Sequence, residues 1–392
     1  MKYQSTVPLT VITPEDGYHY FFGYYDLQPF SHDNRRHLAH RTCFADRIPT
    51  QDDIVELGYI TIEDKVFHKV AESRAWNFQQ GALLQWFDHD HIIYNDFRDN
   101  CYCSVIKDIE TGTERIICAP LAHLSNDRKW GLSINFPRVW NFRPGYGYCN
   151  TQDPYGHINA PDNDGIFLVD IASNTSKLII SYTDLAQAFP EEPFCNMKLV
   201  VNHITFNPSA NRFLFLLRNF PEPGKRWGTV LAVADRDGSN LHQLTGYAIN
   251  SHYHWKDDRD IMIWSILQEK DTSIFNKGIF IFNSVNGKQQ VLNDELVNSG
   301  DIHCLYAPDR SCFIGDGYWD SESYRSIYLY DFETQQSKQL VRIFSEPNTI
   351  TDIRCDLHNR FSPDGSLVSF DSWHSGRREI VLFPFDKKAF LK

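Results

Sequence analysis

Asn202-His203-Ile204-Thr205-Phe206, Ser251-His252-Tyr253-His254-Trp255, Asp301-Ile302-His303-Cys304-Leu305-Tyr306 and Asp356-Leu357-His358-Asn359-Arg360-Phe361 share one grammar. In each, a histidine stands three residues before an aromatic that opens a turn. The chain has only 16 histidines in 392 residues, so the same slot filled in four successive segments marks an internal repeat.

Working outward, the turn recurs along the chain. It reads Phe30-Ser31-His32-Asp33-Asn34, Trp86-Phe87-Asp88-His89-Asp90, Leu124-Ser125-Asn126-Asp127-Arg128, Phe206-Asn207-Pro208-Ser209-Ala210, Trp255-Lys256-Asp257-Asp258-Arg259, Tyr306-Ala307-Pro308-Asp309-Arg310 and Phe361-Ser362-Pro363-Asp364-Gly365. Between these lie short β-branched and aromatic runs: Tyr59–Ile62, Val105–Asp108, Ile166–Asp170, Val230–Asp235, Ile279–Phe282, Ile327–Asp331 and Ile380–Phe383. Seven turns interleaved with seven strands predict units of about 40 to 55 residues, each with two hairpins. One such unit cannot bury both faces, whereas a closed ring of them leaves few edges. The expectation is all-β: a single seven-bladed β-propeller domain over residues 1–392. The long third interval predicts an inserted loop around 138–164, rising over one face. Tyr182–Phe189 predicts a short helix capped by Thr183 or Asp184.

Composition narrows the partners. Apolar residues make up 42% and charged residues 22%, with 28 Phe, 19 Tyr and 9 Trp, enough for a large core. A net charge of −12 argues against nucleic acid, whose binders need surplus Lys and Arg. No apolar run suits a signal peptide or a membrane span, so a cytoplasmic protein is expected. Nine cysteines without regular spacing fit reduced thiols, and Cys101-Tyr102-Cys103 reads as an apolar strand before it reads as a metal site.

In a propeller the repeated histidines fall near the start of inner strands on neighbouring blades, with His254 on the face of His252. Imidazoles gathered there can ligate a divalent metal, transfer protons near neutral pH or hydrogen-bond the walls of a channel. Asp301 and Asp356, two residues before His303 and His358, are placed to orient those rings. Trp76, Gln79, Gln80, Asn95 and Arg98 group aromatic and amide side chains in a way that suits a sugar. Arg138, Arg143, Arg354 and Arg360 add charge for a carboxylate. No serine elbow or P-loop occurs, while Asp96, Asp301 and Asp356 keep glycoside hydrolysis open.

Trp76-Asn77-Phe78-Gln79-Gln80-Gly81, Arg143-Pro144-Gly145-Tyr146-Gly147-Tyr148, Ser251–Trp255, Arg354–His358 and Asp371-Ser372-Trp373-His374-Ser375-Gly376-Arg377-Arg378 together resemble the seven-bladed propeller polysaccharide lyases. The resemblance is nearest to the ulvan-lyase type and more distant to the oligogalacturonate lyases. It implies β-elimination on a uronate-containing glycan, an acidic oligosaccharide substrate. It further implies Arg143, with Gln80 or a metal, against the carboxylate, and His203 or His254 with Tyr146 or Tyr148 for proton transfer. A divalent metal, manganese, calcium or zinc, would be held by His252, His303 and His358. Gln80 and Asn95 stand where ulvan-lyase histidines are expected, which separates the chain from ulvan itself. A carbohydrate-binding propeller without catalysis and a glycoside hydrolase on the same fold are the alternatives.

Overall fold

The computed structural model describes residues 3–269, 272–292, 294–298 and 300–390. It is all-β, built from antiparallel meanders of short strands. The seven predicted turns each join two paired strands or a strand and a bridge, and the seven interleaved runs lie in strands except for Ile62, one residue past the end of its own, as the alternation of apolar and turn-forming residues requires. The Phe206 turn, for example, links Leu199–Phe206 to Arg212–Asn219, which then pairs with Thr229–Asp235.

The chain packs as two compact units: residues 1–97, 105–115 and 293–392, and residues 98–104 and 116–292. In the first, Ile302–Tyr306, Cys312–Gly317, Tyr324–Asp331 and Gln336–Phe344 form a meander to which Tyr3–Ser5 adds a fifth strand. Arg360–Phe361, Leu367–Ser372 and Glu379–Pro384 lack a fourth strand of their own, and Thr10–Val11 supplies it. The two ends of the chain are thereby stitched into common sheets. A buried ion pair reinforces the stitch. Arg360 meets Asp371 at 3.0 Å and donates to the carbonyl of Gly23, while the Asp371 carboxylate accepts the backbone N–H of Phe22 and of Gly23.

In the second unit one seven-stranded sheet serves two meanders. His242–Trp255 pairs with Thr229–Asp235 through its first half and with Asp260–Gln268 through its second; it changes partner between Ala248 and Ile249, and a bulge between Asn250 and Tyr253 interrupts the second pairing. Leu214, Leu216, Leu231, Val233, Tyr253, Trp255, Ile261 and Ile263 form its core. Tyr253 and Trp255 face that core, so His254 between them lies on the other face of the strand, while His252 sits in the bulge.

The predicted inserted loop has structure of its own. Asn135 caps a helix, Phe136–Phe142, whose first turn contains Pro137, and a single 3-10 turn follows at Pro144–Tyr146. Arg138 then clasps the segment from inside. Its guanidinium donates to the carbonyls of Leu199, Tyr155, Ile158 and Asn159 and to Asp153. The second predicted helix forms at Tyr182–Ala188, but its cap is Ser181, ahead of the expected Thr183 or Asp184. Ser181 and Asp184 complete a reciprocal capping box, so Asp184 fills the third helical position and not the cap.

Candidate functional site

Each unit carries one cluster built on the repeated histidines. In the first, His303 lies on Ile302–Tyr306, an edge strand of its sheet, directly opposite Asp316, and its Nδ1 lies 3.0 Å from that carboxylate. The His358 ring stands edge-on to the His303 ring at 4.5 Å, with Tyr24 and Tyr25 against both. Asp356 completes the group. One ligand atom from each of His303, Asp356 and His358 falls within 4.8 Å of the others, and all three residues are buried. These are donors suited to a divalent cation, and a carboxylate behind His303 is the usual way to orient a ligating imidazole.

The same Asp356 is already surrounded by charge. Arg325 reaches it at 2.5 Å, and Arg354 spans both of its oxygens at 3.0 and 2.7 Å. Burial alone would raise its pKa, but the two guanidiniums outweigh burial and hold it well below the usual carboxylate range. Next along the chain from Tyr25, the partly buried Asp26 shows the opposite: desolvation pushes its carboxyl up to about 7, where it can carry a proton near neutral pH.

The second cluster has different company. Arg143, the last cap of the inserted helix, lays its guanidinium 4.5 Å over the ring of Tyr146 and 5.7 Å from that of Trp227. The Tyr146 ring stands edge-on to His203 at 5.1 Å, and His203 to His252 at 6.4 Å. His203 sits at a bulge with φ of +48°, a left-handed conformation rare for a side chain of its size, and the Tyr253 hydroxyl donates to its carbonyl at 2.6 Å. His358, in the first cluster, shows the same departure at +45°. At His203 the bulge takes the ring out of the regular alternation of its strand, whereas His358 lies in the loop that leads into Arg360–Phe361.

The structure thus brings together Arg143, Tyr146, His203 and His252 in one unit, and His303 with His358 in the other. His252, expected beside His303 and His358 as a metal ligand, belongs to the first of these sets, and Asp356 takes the third place in the cation group. Asp316 lies against His303 and orients its ring. Cys101 is exposed and Cys103 buried; none of the nine cysteines is in a disulfide among the described residues, and neither of this pair joins a metal group there.

Several residues expected at a sugar are spent on the fold. Trp76 is buried among Phe21, Phe44 and Phe78 and donates to the Asp53 carbonyl. Gln79 is buried and donates to the carbonyl of Arg354, and Arg354 itself is taken by Asp356 and the Thr351 carbonyl. Arg138 is the clasp of the insertion. Tyr148 is stacked on Phe136 at 4.4 Å within that same segment. Asn95 is buried on its strand, while Gln80, Arg98 and His254 keep partial exposure.

No family profile and no curated protein matches the sequence. Solved structures do. An oligogalacturonate lyase from Vibrio parahaemolyticus superposes with a TM-score of 0.68 at 15% identity, covering 98% of this chain and 97% of the other. An oligogalacturonate lyase in complex with manganese gives 0.68 at 14%, covering 99% and 95%. The chain shares that fold. At such identity the likeness speaks for architecture alone, and it supports the oligogalacturonate-lyase-like fold and not the ulvan-lyase type to which the motifs pointed first. A propeller domain of a Pyrococcus furiosus protease is matched far more loosely, with a TM-score of 0.44 over 76% of this chain.

Proposed function

We propose that the chain is a seven-bladed propeller lyase that cleaves uronate-containing oligosaccharides by β-elimination. The observation that carries this reading is the Arg143, Tyr146 and His203 string on a fold shared end to end with oligogalacturonate lyase. Elimination needs three things near one sugar ring: a positive charge at the carboxylate, a base for the proton beside it, and an acid for the departing glycosidic oxygen. The proton leaves carbon 5, the carbon 4 to oxygen bond breaks, and a double bond forms between the two carbons. Arg143 is held by ring faces rather than by a carboxylate, which leaves its planar donors for a substrate carboxylate. His203 is the base and Tyr146 the acid in this assignment. His254 is the second candidate for the base.

For a cation, the donors present in the first unit fit: His303 and His358 with Asp356, behind which Asp316 fixes one ring. Manganese is the first ion to test. When bound, a divalent ion supplies concentrated positive charge for a uronate carboxylate. No membrane-crossing helix occurs among the described residues, and an acidic oligosaccharide is the proposed partner.

The test is a panel of uronate oligosaccharides followed by ultraviolet absorbance. Elimination leaves an unsaturated uronate that absorbs. New reducing ends without absorbance would instead indicate a glycoside hydrolase, and binding without product a carbohydrate-binding propeller.

A further inference from the structure

The cation group of the first unit holds positive charge of its own, and the two arginines that supply it are not alike. Arg354 is tightly bound: besides its two contacts with Asp356 it donates to the Thr351 carbonyl and approaches the Tyr318 hydroxyl. Arg325 is fully buried, yet its Nε, Nη1 and Nη2 have no aligned hydrogen bond. Among the described residues its polar neighbour is Asp356, and the ring faces of Trp319, at 4.3 Å, and Tyr318, at 5.2 Å, flank it. Buried guanidiniums ordinarily spend their donors, so one that does not is the partner more readily displaced.

Charge sharpens the point. The carboxylates of Asp356 and Asp316 are matched in number by the guanidiniums of Arg325 and Arg354. A divalent ion would add charge that nothing offsets, in a place where burial magnifies repulsion.

We infer that Arg325 is a built-in competitor for the cation at His303, Asp356 and His358. While its guanidinium rests on Asp356 the group is closed to metal, and an ion enters only as Arg325 yields the carboxylate. The inference rests on reading these three residues as a cation site. It makes Arg325 a positioning residue that sets affinity without ligating anything.

The experiment titrates the full chain with manganese, following free ion by electron paramagnetic resonance, for the wild type, R325Q, R325K and R325Q/D356N. Circular dichroism and thermal unfolding check that each is folded, and R325M replaces R325Q if that variant does not accumulate. R325Q is expected to bind manganese about tenfold tighter or better, a modest share of what losing a unit charge beside a divalent ion gives. R325K, which keeps the charge, shows no such gain, and D356N abolishes it. A folded R325Q that binds no tighter than the wild type, or a gain that survives D356N, overturns the competitor. Tight binding by the wild type that R325Q leaves unchanged removes the competitor alone. Failure of every protein to bind at millimolar ion removes the cation site with it.

Discussion

The two histidine clusters share a sequence slot and differ in nearly everything around it. His303 and His358 are enclosed with two carboxylates and two arginines whose charges balance. His203 and His252 are set among rings, with Arg143 stacked on the nearest of them. The repeat fixes where an imidazole sits on its strand; its neighbours decide what the imidazole can do. A balanced, buried cluster suits holding something, whereas a partly open one with an arginine free of carboxylates suits acting on an anionic substrate.

That contrast can be broken most sharply by mutation at the second cluster. His203→Ala should lower kcat on a uronate oligosaccharide by about 10²- to 10⁴-fold, the range for loss of a general base, while the circular dichroism spectrum is unchanged. An equal loss of folded protein would move His203 to the structural side of the comparison. At the first cluster the main effect should instead be on stability. Asp356→Ala strands two buried guanidiniums and should cost about 3–5 kcal/mol, read from urea unfolding.

Arg138→Met tests whether an arginine near the second cluster is clasp or ligand. Losing its buried hydrogen bonds should cost about 2 kcal/mol or more and expose the segment between Ser133 and Gly165 to proteolysis. If stability is unchanged and substrate KM rises, Arg138 is a ligand after all.

A smaller effect concerns pH. His37 and His40 are buried in the first unit, and burial drives both down to about 3 from an ordinary 6.5. Each is therefore neutral in the fold, contributes stability above the unfolded value of 6.5, and loses it as pH falls from there toward 3. His37→Gln should flatten the dependence of unfolding free energy on pH by up to one proton in that window, whatever its effect at pH 7. The smallest change is expected at Tyr148→Phe, which should leave kcat as it is while Tyr146→Phe lowers it; equal losses would erase the distinction between a stacked tyrosine and one beside His203.

Much of the fold was legible because turns and alternating apolar runs are local signals. The insertion and the helix at Tyr182–Ala188 were placed by the same means, and only the cap was misjudged, because Ser181 sits at the end of a strand and reads as part of it. The sites were legible in part. The histidines showed themselves by repetition. Asp316 and Arg325 did not, since their roles arise across the fold: Asp316 becomes visible only when its register opposite His303 is known, and Arg325 only when its place beside Asp356 is known. The opposite failure befell Trp76, Gln79 and Arg138. Their chemistry suits a sugar, but residue type cannot say whether a side chain faces a ligand or a backbone carbonyl.

The central claim is that the second cluster performs elimination. The direct measurement is ultraviolet absorbance during incubation of the wild type, R143A and H203A with uronate oligosaccharides. The account predicts a steady rise for the wild type and almost none for either folded variant. A wild type that produces no absorbance on any uronate, or an H203A variant as fast as the wild type, would contradict it.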